Sequence, residues 1–107
     1  MRILLVCSSG ASSGFLVQNM KKAAKEQNLD VDIEARSEYE LENYLDIIDV
    51  VLIGPHLSYL SEEIADKAQQ YNVPMGIVPQ DIYGTIDGAR ALAFALNVVN
   101  KGGNTHG

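Results

Sequence analysis

The one cysteine, Cys7, stands where an apolar run, Ile3-Leu4-Leu5-Val6, gives way to seven small residues, Ser8-Ser9-Gly10-Ala11-Ser12-Ser13-Gly14. An amphipathic segment follows. This order places a thiol at the carboxyl end of a strand and beside the amino terminus of a helix. Backbone N–H groups without intrahelical partners, and the positive end of the helix dipole, stabilise negative charge there. They favour a thiolate and, equally, a phosphate carried on the sulfur. Small side chains let an anion approach the backbone, where large ones would block it. Each charge-assisted backbone hydrogen bond to phosphate is worth roughly 1.5–3 kcal/mol, so several can hold a dianion without a cationic side chain. Cys7 is therefore the candidate catalytic nucleophile. Ser8, Ser9, Gly10, Ala11, Ser12 and Ser13 form the candidate phosphate-binding loop. The competing reading makes Cys7 a buried strand-end residue in an ordinary glycine-serine connection.

Rival loop chemistries are tested by what is missing. A dinucleotide fingerprint needs three glycines at fixed spacing, and only Gly10 and Gly14 are present. A nucleotide P-loop ends in Gly-Lys-Ser/Thr, and no lysine precedes Lys21. A thioredoxin-type pair needs a second cysteine where Gly10 stands. A low-molecular-weight cysteine phosphatase would place an arginine at the position of Ser13 to clamp the transferring phosphoryl group. It would also use an Asp-Pro loop as general acid, which this sequence lacks. The loop is suited to hold a phosphoryl group and poorly equipped to hydrolyse it. A phosphatase-like enzyme and a non-catalytic anion-binding module remain as alternatives.

The elements that must position this loop follow from periodicity. Four short apolar, β-branched runs alternate with helical patterns, as in parallel βαβ units. The strands are expected at Ile3–Val6, Asp30–Ala35, Val50–Ile53 and Met75–Val78. The first helix is expected from about Gly14 to Asn28, with Phe15, Leu16, Met20, Ala23 and Ala24 near its apolar face. A short helix covers Glu38–Leu45. Another, capped by Ser58 or Ser61, runs to about Tyr71, with Asn72 as its stop. Pro79–Tyr83 reads as a loop, and Thr85 or Asp87 opens a closing helix that ends near Val99. The fold class is α/β: a three-layer domain spanning residues 1–100, with a polar tail, 101–107, expected to be disordered. Right-handed crossovers make 2-1-3-4 the simplest strand order. The crevice then lies between strands one and three, lined by the loops Cys7–Ser13 and Gly54–Ser58. His56 reads as a polar loop residue near that crevice, with contact to a phosphoryl group or partner as the alternative. Tyr59 and Tyr83 read as packing or rim residues, and Asp81 and Asp87 as turn and cap residues.

Composition narrows the classes further. A chain of 107 residues with net charge −6 is a poor nucleic-acid binder, since phosphate-backbone affinity needs clustered cations. Nine of its fourteen acids fall between Glu26 and Asp49, read as a solvated face around the second strand. One cysteine excludes an internal disulfide, and two distant histidines, His56 and His106, lack metal-motif spacing; neither a metal nor a cofactor is expected. The apolar run Ile47–Ile53, broken by Asp49, is far short of a membrane span. No secretory signal is apparent, and a cytoplasmic location is expected.

The segment Cys7 to Gly14, followed by Phe15-Leu16-Val17, resembles the active-site segment of the lactose/cellobiose-type IIB components of the bacterial phosphoenolpyruvate-dependent sugar phosphotransferase system. The resemblance continues through Val50-Val51-Leu52-Ile53-Gly54-Pro55, Tyr59 and Glu63-Ile64, and resumes at Tyr83-Gly84-Thr85-Ile86-Asp87-Gly88. It implies a phosphocysteine intermediate. A phosphohistidine on a IIA protein would donate its phosphoryl group to Cys7. The group would then pass to a sugar such as cellobiose, lactose or chitobiose, held by a membrane IIC channel. The chain departs from the common motif at Ser9, Ala11, Ser13 and Gly14, and His56 stands where the family often has glutamine.

Overall fold

The computed structural model describes residues 1–7 and 12–104, with side chains for residues 1–7 and 13–100. Four strands, β1 (Arg2–Cys7), β2 (Asp32–Ser37), β3 (Val50–Ile53) and β4 (Met75–Ile77), form one parallel sheet in the order β2-β1-β3-β4. That is the order expected from right-handed crossovers. Apart from Arg2 at the start of β1, the two central strands are apolar because both of their faces are covered. Ile3, Leu5 and Leu52 pack under α1 (Ser12–Glu26) and α4 (Gly88–Asn104). Leu4, Val6, Val51 and Ile53 pack on the opposite side, against Leu41, Leu45, Leu57 and Ile64. The last two come from a 3-10 turn, Pro55–Leu60, and from α2 (Ser61–Gln70). The result is three layers.

Several boundaries differ from those the sequence suggests. Helix α1 begins at Ser12 and ends at Glu26, and its buried stripe is Ser13, Leu16, Val17, Met20, Ala23 and Ala24. Phe15 falls off that stripe and is 56% exposed. Neither Ser58 nor Ser61 caps α2. The preceding 3-10 turn runs straight into it, and the Ser61 N–H already bonds the Ser58 carbonyl, so no side-chain cap is needed. The segment expected to be a loop after β4 contains a short helix, α3 (Gln80–Gly84), whose Tyr83 N–H bonds the Pro79 carbonyl at 3.0 Å. Helix α4 continues to Asn104 instead of stopping near Val99. The expectation for the tail beyond residue 104 lies outside the described residues.

Other local signals act as their chemistry dictates. Asn72 follows α2 with φ of 57°, and Val73 N–H reaches back to the Ala68 carbonyl at 2.9 Å, closing the helix. Asn28 does the same after α1, where Leu29 N–H bonds Ala24 at 2.8 Å. Asp87 caps α4 through Oδ1, which accepts the Arg90 N–H at 3.1 Å.

Candidate functional site

Cys7 closes β1 at the carboxyl edge of the sheet and is 6% exposed. Side chains alternate along a strand, so Cys7 shares the face of Ile3 and Leu5, under α1 and α4. The first turn of α1 sits directly over it. Ser13 is the turn's inward residue, 3% exposed, and its Oγ lies 2.8 Å from the Cys7 sulfur. The sulfur is also 3.8 Å from the Arg36 carbonyl on β2, at the limit of a thiol hydrogen bond. A hydroxyl can donate to sulfur in either protonation state, whereas a carbonyl accepts only from the thiol. Ser13 therefore remains a useful neighbour when the sulfur is charged.

Of the expected phosphate-binding loop, Ser8, Ser9, Gly10 and Ala11 lie outside the described residues. Ser12 opens α1, and Ser13 is brought to the sulfur by its side chain. Gly14 follows it on the exposed side, with open space where a side chain would stand.

No guanidinium among the described residues is directed at the sulfur. Arg36 is the cation nearest in sheet register, but it pairs with Val6, whose side chain points to the other face. Its Nε donates to the Tyr44 hydroxyl at 2.7 Å, and Nη1 to the Ala35 carbonyl at 2.9 Å. The guanidinium also lies over the Tyr44 ring at 5.5 Å and 3.6 Å from Glu34. The bond to Tyr44, with the Glu34 and Glu40 carboxylates, raises its pKa further and holds it charged in that position.

The other side of Cys7 belongs to β3. Val6 pairs with Ile53, and the Gly54 N–H continues the ladder to the Val6 carbonyl at 3.2 Å. Gly54 is thus the residue beside Cys7. Over it sit His56 and Tyr83, ring centroids 5.4 Å apart and tilted by 55°. The sequence identified the Gly54–Ser58 loop as crevice lining but gave no sign of this ring pair, which joins two connections from different crossovers. Phe15, Tyr39 and Tyr59 are all exposed, each in the connection that follows β1, β2 or β3. Among the described residues no three His, Cys, Asp or Glu side chains group as a metal site, and no helix is long and apolar enough to cross a membrane.

Residues 2–94 match the family model described as the lactose/cellobiose-specific IIB subunit of the phosphotransferase system. The chain is 37% identical over 103 residues to the galactose-specific EIIB component of Lactococcus lactis subsp. cremoris, covering 92% of this chain and 95% of that protein. It is 36% identical over 98 residues to the oligo-β-mannoside-specific EIIB component of Bacillus subtilis, with the same two coverages. The cellobiose-specific IIB component of Borrelia burgdorferi superposes with a TM-score of 0.79 at 36% identity, covering 94% of this chain and 93% of that one. The lactose-specific IIB domain of Streptococcus pneumoniae has the same fold, with a TM-score of 0.83 at 15% identity over 92% of this chain and 96% of that one.

Proposed function

From the premise that this chain belongs to the lactose/cellobiose-specific IIB family, and is thus a phosphotransferase-system component, we propose that Cys7 is its phosphoryl carrier. The observation that carries this reading is the placement of the Cys7 sulfur under the first turn of α1, with the Ser13 hydroxyl 2.8 Å away. Backbone N–H groups of the segment Ser8–Ser13 supply the remaining donors for the phosphoryl oxygens.

The transfer runs in two displacements. In the first, the Cys7 sulfur attacks the phosphorus of a phosphohistidine on a IIA protein. A P–S bond forms as the P–N bond breaks, and the electron pair of that bond stays with the leaving imidazole. The thiol proton is released and the imidazole regains one. In the second, a hydroxyl oxygen of a sugar held by a membrane IIC channel attacks the same phosphorus. A P–O bond forms, the hydroxyl proton is released, and the sulfur leaves as thiolate. Little covalent machinery is needed, because positioning and charge stabilisation supply most of phosphoryl-transfer catalysis. The absence of a guanidinium aimed at the sulfur suits a carrier that must keep its phosphoryl group away from water until a partner arrives.

Phe15, Tyr39 and Tyr59 suit that traffic. They offer two successive protein partners exposed aromatic surface on the connections that follow β1, β2 and β3. The protein acts at the cytoplasmic face and meets the membrane through the IIC channel. Its sugar is cellobiose, lactose, chitobiose or a similar saccharide, in keeping with the galactose, cellobiose and oligo-β-mannoside named for its relatives. The test is the complete relay: labelled phosphoenolpyruvate, the general phosphotransferase proteins, a cognate IIA, and membranes bearing the cognate IIC with sugar. Label reaches the sugar with the wild type and falls to background with Cys7→Ser. Equal sugar labelling with Cys7→Ser would refute the reading.

A further inference from the structure

Beside Cys7, at the end of β3, a glycine leaves space that a histidine ring fills. Gly54 stands one rung beyond the Val6–Ile53 pair, beside Cys7, and its missing side chain would point to the face that Cys7 occupies. A Cβ built there would lie 2.6 Å from His56 Cε1, 2.9 Å from its Nδ1 and 3.2 Å from Tyr83 Cε2. The imidazole thus fills the place where the neighbour of Cys7 would carry a side chain. Adjacent strands are only about 4.8 Å apart. A phosphoryl group on the sulfur extends that side chain by two further bonds, a reach comparable with that spacing. Gly54 has φ of −67° and ψ of 150°, a conformation open to any residue, so the glycine answers to space and not to backbone freedom.

What holds the ring also fits a role at the phosphoryl group. Tyr83, on α3, packs against it and against the core. His56 itself is exposed, so its ring edge remains available to a ligand. Asp81, the acid on the same short helix, is engaged with Arg90 at 2.6 Å. Arg36, the nearest cation in register, is turned to the far face.

We propose that the His56 imidazole donates a ring N–H to a phosphoryl oxygen on Cys7, with Tyr83 as the wall that seats it. His56 is then a phosphoryl-contacting residue of the carrier site, supplying the donor that no arginine provides. The inference rests on Cys7 being the carrier, and the experiment separates the two.

Wild type, His56→Phe and His56→Gln are charged through phosphoenolpyruvate and IIA, and charging is verified by intact mass. Imidazole nitrogen resonances of His56 are recorded before and after charging, and the lifetime of each phosphoprotein is measured. His56→Phe keeps a ring against Tyr83 but has no donor, and His56→Gln restores an N–H. The expected result is a shift of the His56 nitrogens on charging, a phosphoprotein lifetime shorter by about tenfold in His56→Phe, and substantial recovery in His56→Gln. Unmoved His56 resonances in a fully charged protein, with equal lifetimes in all three, would overturn the proposal and leave the carrier reading standing. A protein that takes up no phosphoryl group would overturn both.

Discussion

Two glycines near the carboxyl edge of the sheet, Gly54 and Gly88, each leave room for a neighbour, and the neighbours differ in kind. At Gly88, where α4 begins, the space belongs to the backbone of Asn19 on α1. The same corner holds Ile86 at φ of 45°, a strained conformation for a β-branched residue, costing about 1–3 kcal/mol. The Asn19 Nδ2 donates to the Ile86 carbonyl at 2.8 Å and helps to hold it. At Gly54 the space belongs to the tips of two side chains, His56 and Tyr83. A backbone cannot step aside from an added methyl group; an exposed imidazole can. The first glycine serves the packing of two helices, and the second serves the surroundings of Cys7.

That contrast can be broken by adding one methyl group at each place. Gly88→Ala has the largest expected effect. It forces α4 off α1 at the upper end of the roughly 1–3 kcal/mol seen for overpacked cores, lowering the melting temperature by at least about 8 °C. Gly54→Ala should cost at most about 1 kcal/mol in stability, because the imidazole swings outward. Its cost appears instead in the lifetime of the phosphoprotein, which should fall as it does in His56→Phe. Thermal melts and phosphoprotein decay, measured on both variants, check the pair. Equal destabilisation by the two substitutions, with normal decay in Gly54→Ala, would erase the distinction.

The smallest expected effect lies in the tether that joins α3, and so Tyr83, to α4. Arg90 Nη2 lies 2.6 Å from Asp81 Oδ2, and Nη1 lies 3.9 Å from Asp87. The hydrogen bond from Arg90 lowers the Asp81 pKa below the ordinary carboxylate value. A depressed carboxylate contributes stability above its unfolded pKa of about 3.9, and that contribution is lost as pH falls through the lower folded value. Melting curves of wild type and Asp81→Asn should differ slightly at pH 7, less in high salt because the pair is exposed, and converge once the pH falls below the lowered folded value.

Most of the sheet was legible because each strand announces itself locally. Val50–Ile53 is apolar throughout, Asp30–Ala35 alternates, and short crossovers leave one simple order. The Cys7 position was legible for the same reason: a strand, small residues and a helix occur in succession. What escaped were contacts made between distant segments. Phe15 looks like a core residue at helical spacing, yet the axis of α1 is set by Ser13, Leu16 and Met20, which leaves Phe15 in solvent. The 3-10 turn Pro55–Leu60 makes a serine cap unnecessary, and nothing in Ser58 or Ser61 signals that. The His56–Tyr83 pair depends on the loop after β3 meeting a short helix after β4, and that helix had been read as a loop. Ser13 was expected to contribute its amide; the structure brings its hydroxyl to the sulfur.

The most direct test of the central claim locates the phosphoryl group itself. The protein is charged through phosphoenolpyruvate and a cognate IIA, digested under conditions that preserve thiophosphate esters, and its peptides are mapped by mass. The account predicts one added phosphoryl group, on the peptide containing Cys7, and none anywhere in Cys7→Ser. A phosphoryl group on His56 or a serine of the loop, with Cys7 unmodified, would contradict it.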